Sequence, residues 1–82
     1  DIAAAARLSP FHLARVFKQA MGVSPHQYLI QLRVNSARWL LSAGSGERSL
    51  AELANAVGFA DQSHLTRHFK RVLGKTPGQF RT

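Results

Sequence analysis

Apolar residues recur with a helical spacing along most of the chain. In the middle they lie at Ile30, Val34, Ala37 and Leu41, which are spaced i, i+4, i+7 and i+11. This spacing puts them in one stripe on an amphipathic helix. Three further leucines are expected to broaden the stripe: Leu29, Leu32 and Leu40. No stretch alternates apolar and polar residues for long enough to predict a strand, so we expect an all-α chain.

Capping signals predict where the helices begin and end. Ser49 with Glu52 is typical of a capping box, in which a hydroxyl and a carboxylate satisfy free backbone N–H groups. Ser24-Pro25 and Thr76-Pro77 begin a Gln form of the same box, and Ser9-Pro10 begins another helix. Gly22 and Gly74 are placed to end helices. The predicted helices cover about residues 1–6 (truncated), 10–21, 25–42, 50–57 and 62–73, and a short last one starts near Pro77.

The chain contains an internal repeat. Residues 9–29 align with residues 61–81 at an offset of 52, and identical residues include the pairs His12/His64, Arg15/Arg67, Phe17/Phe69, Lys18/Lys70 and Gly22/Gly74. A repeat of this quality implies two structurally equivalent units. Because basic as well as apolar residues are shared, we expect the two units to do the same work.

The charge balance indicates a polyanionic partner. Eleven Lys and Arg stand against four Asp and Glu, for a net charge of +7. Nucleic acid is the first candidate partner and an anionic membrane the second. There are no cysteines, which excludes a disulfide, a thiolate nucleophile and a Cys-ligated zinc. No cofactor is expected.

The predicted helix 62–73 has two different faces. Leu65, Phe69, Val72 and Leu73 form an apolar face for packing. The opposite side carries Gln62, Ser63, Thr66, Arg67 and Lys70. Arg can bind guanine and Gln can bind adenine through paired hydrogen bonds, while Ser and Thr adapt to several base edges. Lys at the far end of the helix suits a phosphate.

The preceding segment predicts a helix-turn-helix. Small Ala54 would let two helices approach closely, and Gly58 would permit a tight turn before helix 62–73. This pattern is weak evidence taken alone, because many helical corners share it.

The first copy of the repeat has the same plan with different outward residues. Leu13, Phe17, Ala20 and Met21 are expected to face inward. Outward we expect Pro10, Phe11, Ala14, Arg15 and Lys18. Phe11 and Ala14 can pack against a thymine methyl group, but Phe11 could equally be a core residue at the helix start. The candidate base-reading residues are Phe11, Ala14, Arg15, Gln62, Ser63, Thr66 and Arg67, and the candidate phosphate contacts are Ser9, Lys18, Lys70 and Arg71.

Metal binding and catalysis are both disfavoured by the sequence. His64 and His68 are four residues apart, but no Glu lies where a zinc protease needs one and no carboxylate cluster is near. The few acidic residues are scattered, which argues against catalysis. Trp39 falls off the apolar stripe, so it either packs half-exposed or contacts a partner.

The segment GFADQSHLTRHFKRVLGKTPGQFR, residues 58–81, resembles the C-terminal signature of the AraC/XylS-type transcription regulators. The matching residues are Gly58, Phe59, Asp61, Ser63, Leu65, Arg67, Phe69, Lys70, Gly74, Pro77, Phe80 and Arg81. Residues 8–41 resemble the first helix-turn-helix and the connecting helix of the same family, including Arg33, Ala37 and Leu41.

The resemblance implies two homeodomain-like helix-turn-helix subdomains joined by a long central helix. The units would be residues 1–23, 24–43 and 44–82, with helices 10–21 and 62–73 entering successive major grooves of double-stranded DNA. It also implies RNA polymerase as a partner, an activator role and a cytoplasmic, nucleoid-associated location. Only Asp1 precedes Ile2, the match to Leu53, so the first unit is expected to be truncated, with an effector or dimerisation domain upstream.

Two alternatives to a regulator stay open. The same module could target DNA for a larger enzyme such as a repair protein. It could also be a basic helical binder of RNA or of an anionic membrane, although a membrane helix would need an uncovered apolar face. The operator, effector, target genes, oligomeric state and choice between activation and repression do not follow from these residues.

Overall fold

The computed structural model describes residues 9–43 and 48–81. In these two ranges the chain forms helices and no strand: α1 (Pro10–Met21), α2 (Pro25–Ser42), α3 (Leu50–Val57), α4 (Gln62–Leu73) and α5 (Pro77–Arg81). The all-α prediction and the bounds of the first four of these helices are confirmed. The predicted truncated helix over residues 1–6 lies outside the described residues.

The predicted caps explain why the helices begin where they do. Reciprocal hydrogen bonds of 2.9 to 3.2 Å close the boxes Ser24–Gln27, Ser49–Glu52 and Thr76–Gln79. In each box the backbone N–H of the cap donates to the Gln or Glu oxygen, and the cap hydroxyl accepts the N–H three residues on. α1 and α4 end at Gly22 and Gly74, which have φ angles of 80° and 81°.

The core lies where α2, α3 and α4 meet. Val34, Ala37, Leu53, Ala54, Leu65 and Phe69 are at most 1% exposed, and Ile30 and Phe59 are nearly as buried. α5 closes this core because Phe80 meets Phe69 edge to face, with ring centroids 5.8 Å apart. Burying each large aliphatic or aromatic side chain contributes about 1.5–3 kcal/mol, so most apolar stabilisation in the described ranges belongs to the second unit.

The inward face predicted for the first copy is only partly correct. α1 contains no buried residue. Leu13 and Phe17 are half-buried, and Phe17 meets Tyr28 of α2 edge to face at 5.6 Å. Ala20 and Met21 are exposed, which corrects the prediction. Both lie in the last turn of α1, past the Phe17–Tyr28 contact.

Three other predicted packing positions are also exposed. Leu29 and Leu32 lie outside the stripe of α2 that starts at Ile30, because each residue turns the helix by about 100°. Val72 is 36% exposed, since it lies at the edge of the α4 face centred on Leu65 and Phe69. Leu40 packs against the core as expected.

α2 links the two copies of the repeat. Its 18 residues span about 27 Å at ~1.5 Å per residue, and the molecule measures 48 × 22 × 21 Å. α1 packs on the N-terminal part of α2, through the Phe17–Tyr28 ring contact, whereas α3, α4 and α5 gather around its apolar stripe. Within the two described ranges, no helix has the length and apolar character needed to span a membrane.

Candidate nucleic-acid interface

α3 and α4 form the predicted helix-turn-helix. The turn begins at Gly58, whose φ of 99° lies in the left-handed region that a side chain disfavours. The next N–H, of Phe59, donates to the carbonyl of Ala54 at 2.9 Å, and the Phe59 ring is buried. Asp61 then caps α4 by accepting the N–H of His64 at 2.9 Å. The turn is therefore held from both sides, which fixes the direction of α4.

The outer face of α4 presents the residues predicted for DNA contact. Ser63, Arg67 and Lys70 follow one another at i, i+4 and i+7 and are all exposed. Gln62 at the first turn is exposed, and Thr66 beside it is half-buried. The buried face of the same helix, Leu65 and Phe69, locks this orientation. The outer side chains form one strip that a duplex could approach.

α1 presents the equivalent strip. Phe11 is 83% exposed, so the alternative that it is a core residue is wrong. Arg15 and Lys18 are exposed on the same face, and Ala14 beside them is half-buried. Ser9 is exposed and its hydroxyl accepts the N–H of His12 at 3.0 Å, so it caps α1 at the edge of this strip.

Charge favours an anionic ligand on both strips. Neither α1 nor α4 contains an acidic residue. In the described part of the chain the carboxylates are Glu52 and Asp61, and both serve as caps. The side chain of Asp61 also lies 3.4 Å from the imidazole Nδ1 of His64. Arg15, Lys18, Arg67 and Lys70 therefore face solvent without a carboxylate on their own helix.

A second group of basic side chains lies between α2 and α4. A pocket of about 330 Å³ is lined there by His26, Ile30, Arg33, Gly58, Phe59, Ala60, His64, Arg67 and His68; we refer to it as the α2–α4 pocket. Sequence reasoning missed it, because His26 lies 38 residues before His64 in the chain and no local spacing joins them. Arg33 was singled out only through the family resemblance.

The pocket lowers the pKa of His68 below its ordinary value. Burial lowers its pKa, and the positive charges of Arg71 and Arg67 lower it further, with smaller effects from His64 and His26. Arg71 Nη2 lies 3.1 Å from His68 Nδ1. Arg71, which was predicted as a phosphate contact, is therefore hydrogen-bonded to a residue of its own helix. Its side chain is still exposed. In the described ranges no three His, Asp or Glu side chains are grouped so that they could hold a metal ion.

Comparison with known proteins places this geometry in a family. A helix-turn-helix domain profile matches residues 2–82. The chain is 35% identical over 81 residues to the Msm operon regulatory protein of Streptococcus mutans, and 40% identical over 81 residues to a putative AraC-like transcription regulator of Streptomyces antibioticus. Each match covers 99% of this chain but only 28% and 26% of the relatives, so the chain spans about a quarter of their length.

The solved structures agree. The DNA-binding domain of AdpA, a global transcriptional factor crystallised with a target DNA, superposes with a TM-score of 0.83 at 37% identity. The match covers 96% of this chain and 69% of that one. Given the helix-turn-helix formed by α3 and α4 and its repeat-related strip on α1, these matches establish that the chain belongs to the AraC-type family of helix-turn-helix domains.

Proposed function

We propose that this chain is the sequence-specific, double-stranded DNA-binding domain of a bacterial transcription regulator. One observation carries the proposal: α1 and α4 each expose a strip with an Arg and a Lys at the same repeat positions, and α2 holds the two strips in one elongated body. Elements of this size fit the major groove of B-form DNA. The related AdpA domain was crystallised with a target DNA, which supports the same ligand here.

Each strip has a distinct reading role in this proposal. On α4, Arg67 would bind a guanine while Gln62, Ser63 and Thr66 contact neighbouring base edges. On α1, Arg15 would read a base while Phe11 and Ala14 pack against thymine methyl groups. Ser9, Lys18, Lys70 and Arg71 would hold phosphates and so set the position of the helices on the duplex.

The wider setting is also part of the proposal. Because the relatives are about four times longer than the matched region, we place this domain in a longer regulator with a separate effector or dimerisation domain. RNA polymerase would be the protein partner of the regulator, which would act as an activator. The regulator would work at the nucleoid in the cytoplasm and would not be an enzyme. The names of the relatives, which are regulators of operons and transcription, support this setting.

The function is tested by selecting bound duplexes from a randomised DNA pool and sequencing them. We expect the wild-type chain to enrich one asymmetric site. Arg67→Ala should lose about 1–3 kcal/mol of discrimination at one base pair and keep the preferences elsewhere.

Arg38→Ala is the matched control, because it removes one exposed positive charge from α2 outside both strips. It should leave the preferences unchanged. Uniform weakening by Arg67→Ala at every position would assign Arg67 to phosphate, and a wild-type pool without any enriched sequence would contradict the proposed function.

A further inference from the structure

The α2–α4 pocket combines two guanidinium groups and three imidazoles with little negative charge. Its polar lining consists of two guanidinium groups, Arg33 and Arg67, and three imidazoles, His26, His64 and His68. The carboxylate beside it in the described chain is that of Asp61, which is turned to His64 at 3.4 Å and to the start of α4. The pocket therefore concentrates hydrogen-bond donors from two helices without a matching set of acceptors.

The surroundings of His68 favour its neutral form in the free pocket. A guanidinium can only donate, so the 3.1 Å contact from Arg71 makes Nδ1 the acceptor and leaves the ring proton on Nε2. The ring is also stacked on Phe59, with centroids 5.6 Å apart and an interplanar angle of 12°. Burial and the neighbouring cations of both helices lower the pKa of His68 in the same direction. An anion in the pocket would oppose the cationic part of that effect.

We propose that the α2–α4 pocket binds a phosphate group, with the Arg33 guanidinium and the His68 ring as donors. On binding, His68 takes up a proton at Nδ1, which breaks the hydrogen bond that Nδ1 accepts from Arg71. Guanidinium groups bind phosphate oxygens in pairs, with strong charge-assisted hydrogen bonds. The inference deepens the proposed function, because Arg67 belongs to both the pocket and the outer strip of α4. The phosphate is therefore one of the DNA backbone beside the bases that α4 contacts.

The expected pH dependence follows from linkage. Phosphate raises the pKa of His68 above its lowered value in the free pocket, since the negative charge favours the protonated ring. Phosphate affinity then increases as the pH falls through the pKa of the bound form, and levels off below the pKa of the free form. One linked proton changes affinity by up to about tenfold per pH unit.

The first experiment uses inorganic phosphate and does not depend on DNA binding. Ring signals of the four histidines are followed by NMR at about pH 6 and about pH 7.5, at constant ionic strength. We expect saturable shifts of the ring signals of His68, His64 and His26, because all three side chains line the pocket. His12 is the internal control, because it is an exposed histidine at the equivalent repeat position on α1.

The second experiment measures binding of a mixed-sequence duplex over the same pH range. His68→Gln should remove a several-fold part of the gain in affinity at low pH. His26→Gln, at an exposed position of α2 that lines the pocket, should weaken binding by a smaller factor. His12→Gln should leave both the affinity and its gain at low pH unchanged. The His26→Gln variant still tests the proposed pocket if replacement of the stacked His68 ring disturbs folding.

The outcomes separate the inference from the proposed function. Shifts with both inorganic phosphate and duplex support a backbone-phosphate site, and shifts with inorganic phosphate alone support a site for a free phosphate anion. Phosphate binding in a chain that binds no duplex would contradict only the proposed function. No saturable shift with either ligand, or equal shifts of His12, would overturn the phosphate site even where the chain binds DNA.

Discussion

Gly58 is constrained both by its own backbone and by a distant side chain. Its φ is 99°, and a Cβ built on it would lie 2.9 Å from Arg33 Nε. Gly74 has a similar φ of 81°, but a Cβ there would meet nothing within 4 Å. The sequence predicts a glycine for the turn, but not that Arg33 of α2 lies against it. That contact joins residues 25 positions apart and depends on how α2 crosses the turn.

Replacing the two glycines should separate backbone strain from side-chain contact. Gly58→Ala and Gly74→Ala should each cost about 1–3 kcal/mol, because both place a side chain in the left-handed region. Gly58→Ala should cost more, since its methyl group must also displace the guanidinium end of Arg33. In an Arg33→Ala background this extra cost of Gly58→Ala should disappear. The cost of Gly74→Ala should be the same in both backgrounds. Urea unfolding of the wild type, the three single variants and the two double variants measures the coupling, and equal costs of Gly58→Ala in both backgrounds would refute the contact.

At the scale of the helix, local chemistry decides where a helix begins and ends, whereas packing decides which of its residues are exposed. The capping boxes join residues three apart, so the sequence alone predicts them and the structure confirms them at hydrogen-bonding distance. The inward face of α1 was predicted by analogy with α4, and there the prediction failed for Ala20 and Met21. Helical periodicity identifies an apolar face, but a neighbouring element must cover it before it is buried.

The capping box of α3 predicts a specific pH dependence. The pKa of Glu52 is lowered mainly because the backbone N–H of Ser49 donates to its carboxylate. The stabilisation is therefore present above the ordinary glutamate pKa and is lost as the pH falls through the lowered pKa. We expect acid to reduce the free energy of unfolding less steeply in Glu52→Gln than in the wild type, as measured by urea unfolding across the acidic range.

Two companion variants calibrate that result. Ser49→Ala removes the cap hydroxyl and should cost about 0.5–2 kcal/mol at neutral pH. Ser36→Ala changes an exposed serine within α2 and should have little effect. Glu52→Gln should stay near the wild type at neutral pH, because Gln27 and Gln79 close the same box elsewhere in the chain. If the free energies of unfolding of the wild type and Glu52→Gln fall in parallel as the pH is lowered, the Glu52 carboxylate is not the source of the pH dependence.

At the scale of the whole molecule, the two copies of the repeat are joined but unequal. The buried apolar residues of the described ranges lie in α2, α3, α4, α5 and the turn between α3 and α4, and α1 contributes none. The division into residues 1–23, 24–43 and 44–82 stays a prediction, although the stripe of α2 is part of the core of the second unit. The long dimension of 48 Å exceeds one turn of DNA, about 34 Å.

These dimensions predict a footprint in two parts. Hydroxyl-radical cleavage of a selected duplex should show two protected patches about 34 Å apart on one face of the DNA. Arg15→Ala should weaken protection of one patch and Arg67→Ala the other, because the two residues occupy equivalent positions on separate helices. Arg38→Ala serves again as the control of equal charge. A single patch affected equally by both variants would contradict the two-helix arrangement.

The sequence by itself determined the helices, their caps, the repeat and the chemistry of the two outer strips, because each depends on residues close in the chain or on the chain compared with itself. Only the tertiary structure decided that Phe11 is exposed, that α1 contributes no buried side chain, and that Arg33 lies against Gly58. It also brought His26 of α2 to the same pocket as His64 and His68 of α4. These features depend on how helices cross, and helix crossing is set by packing over the whole core rather than by the spacing within any one helix.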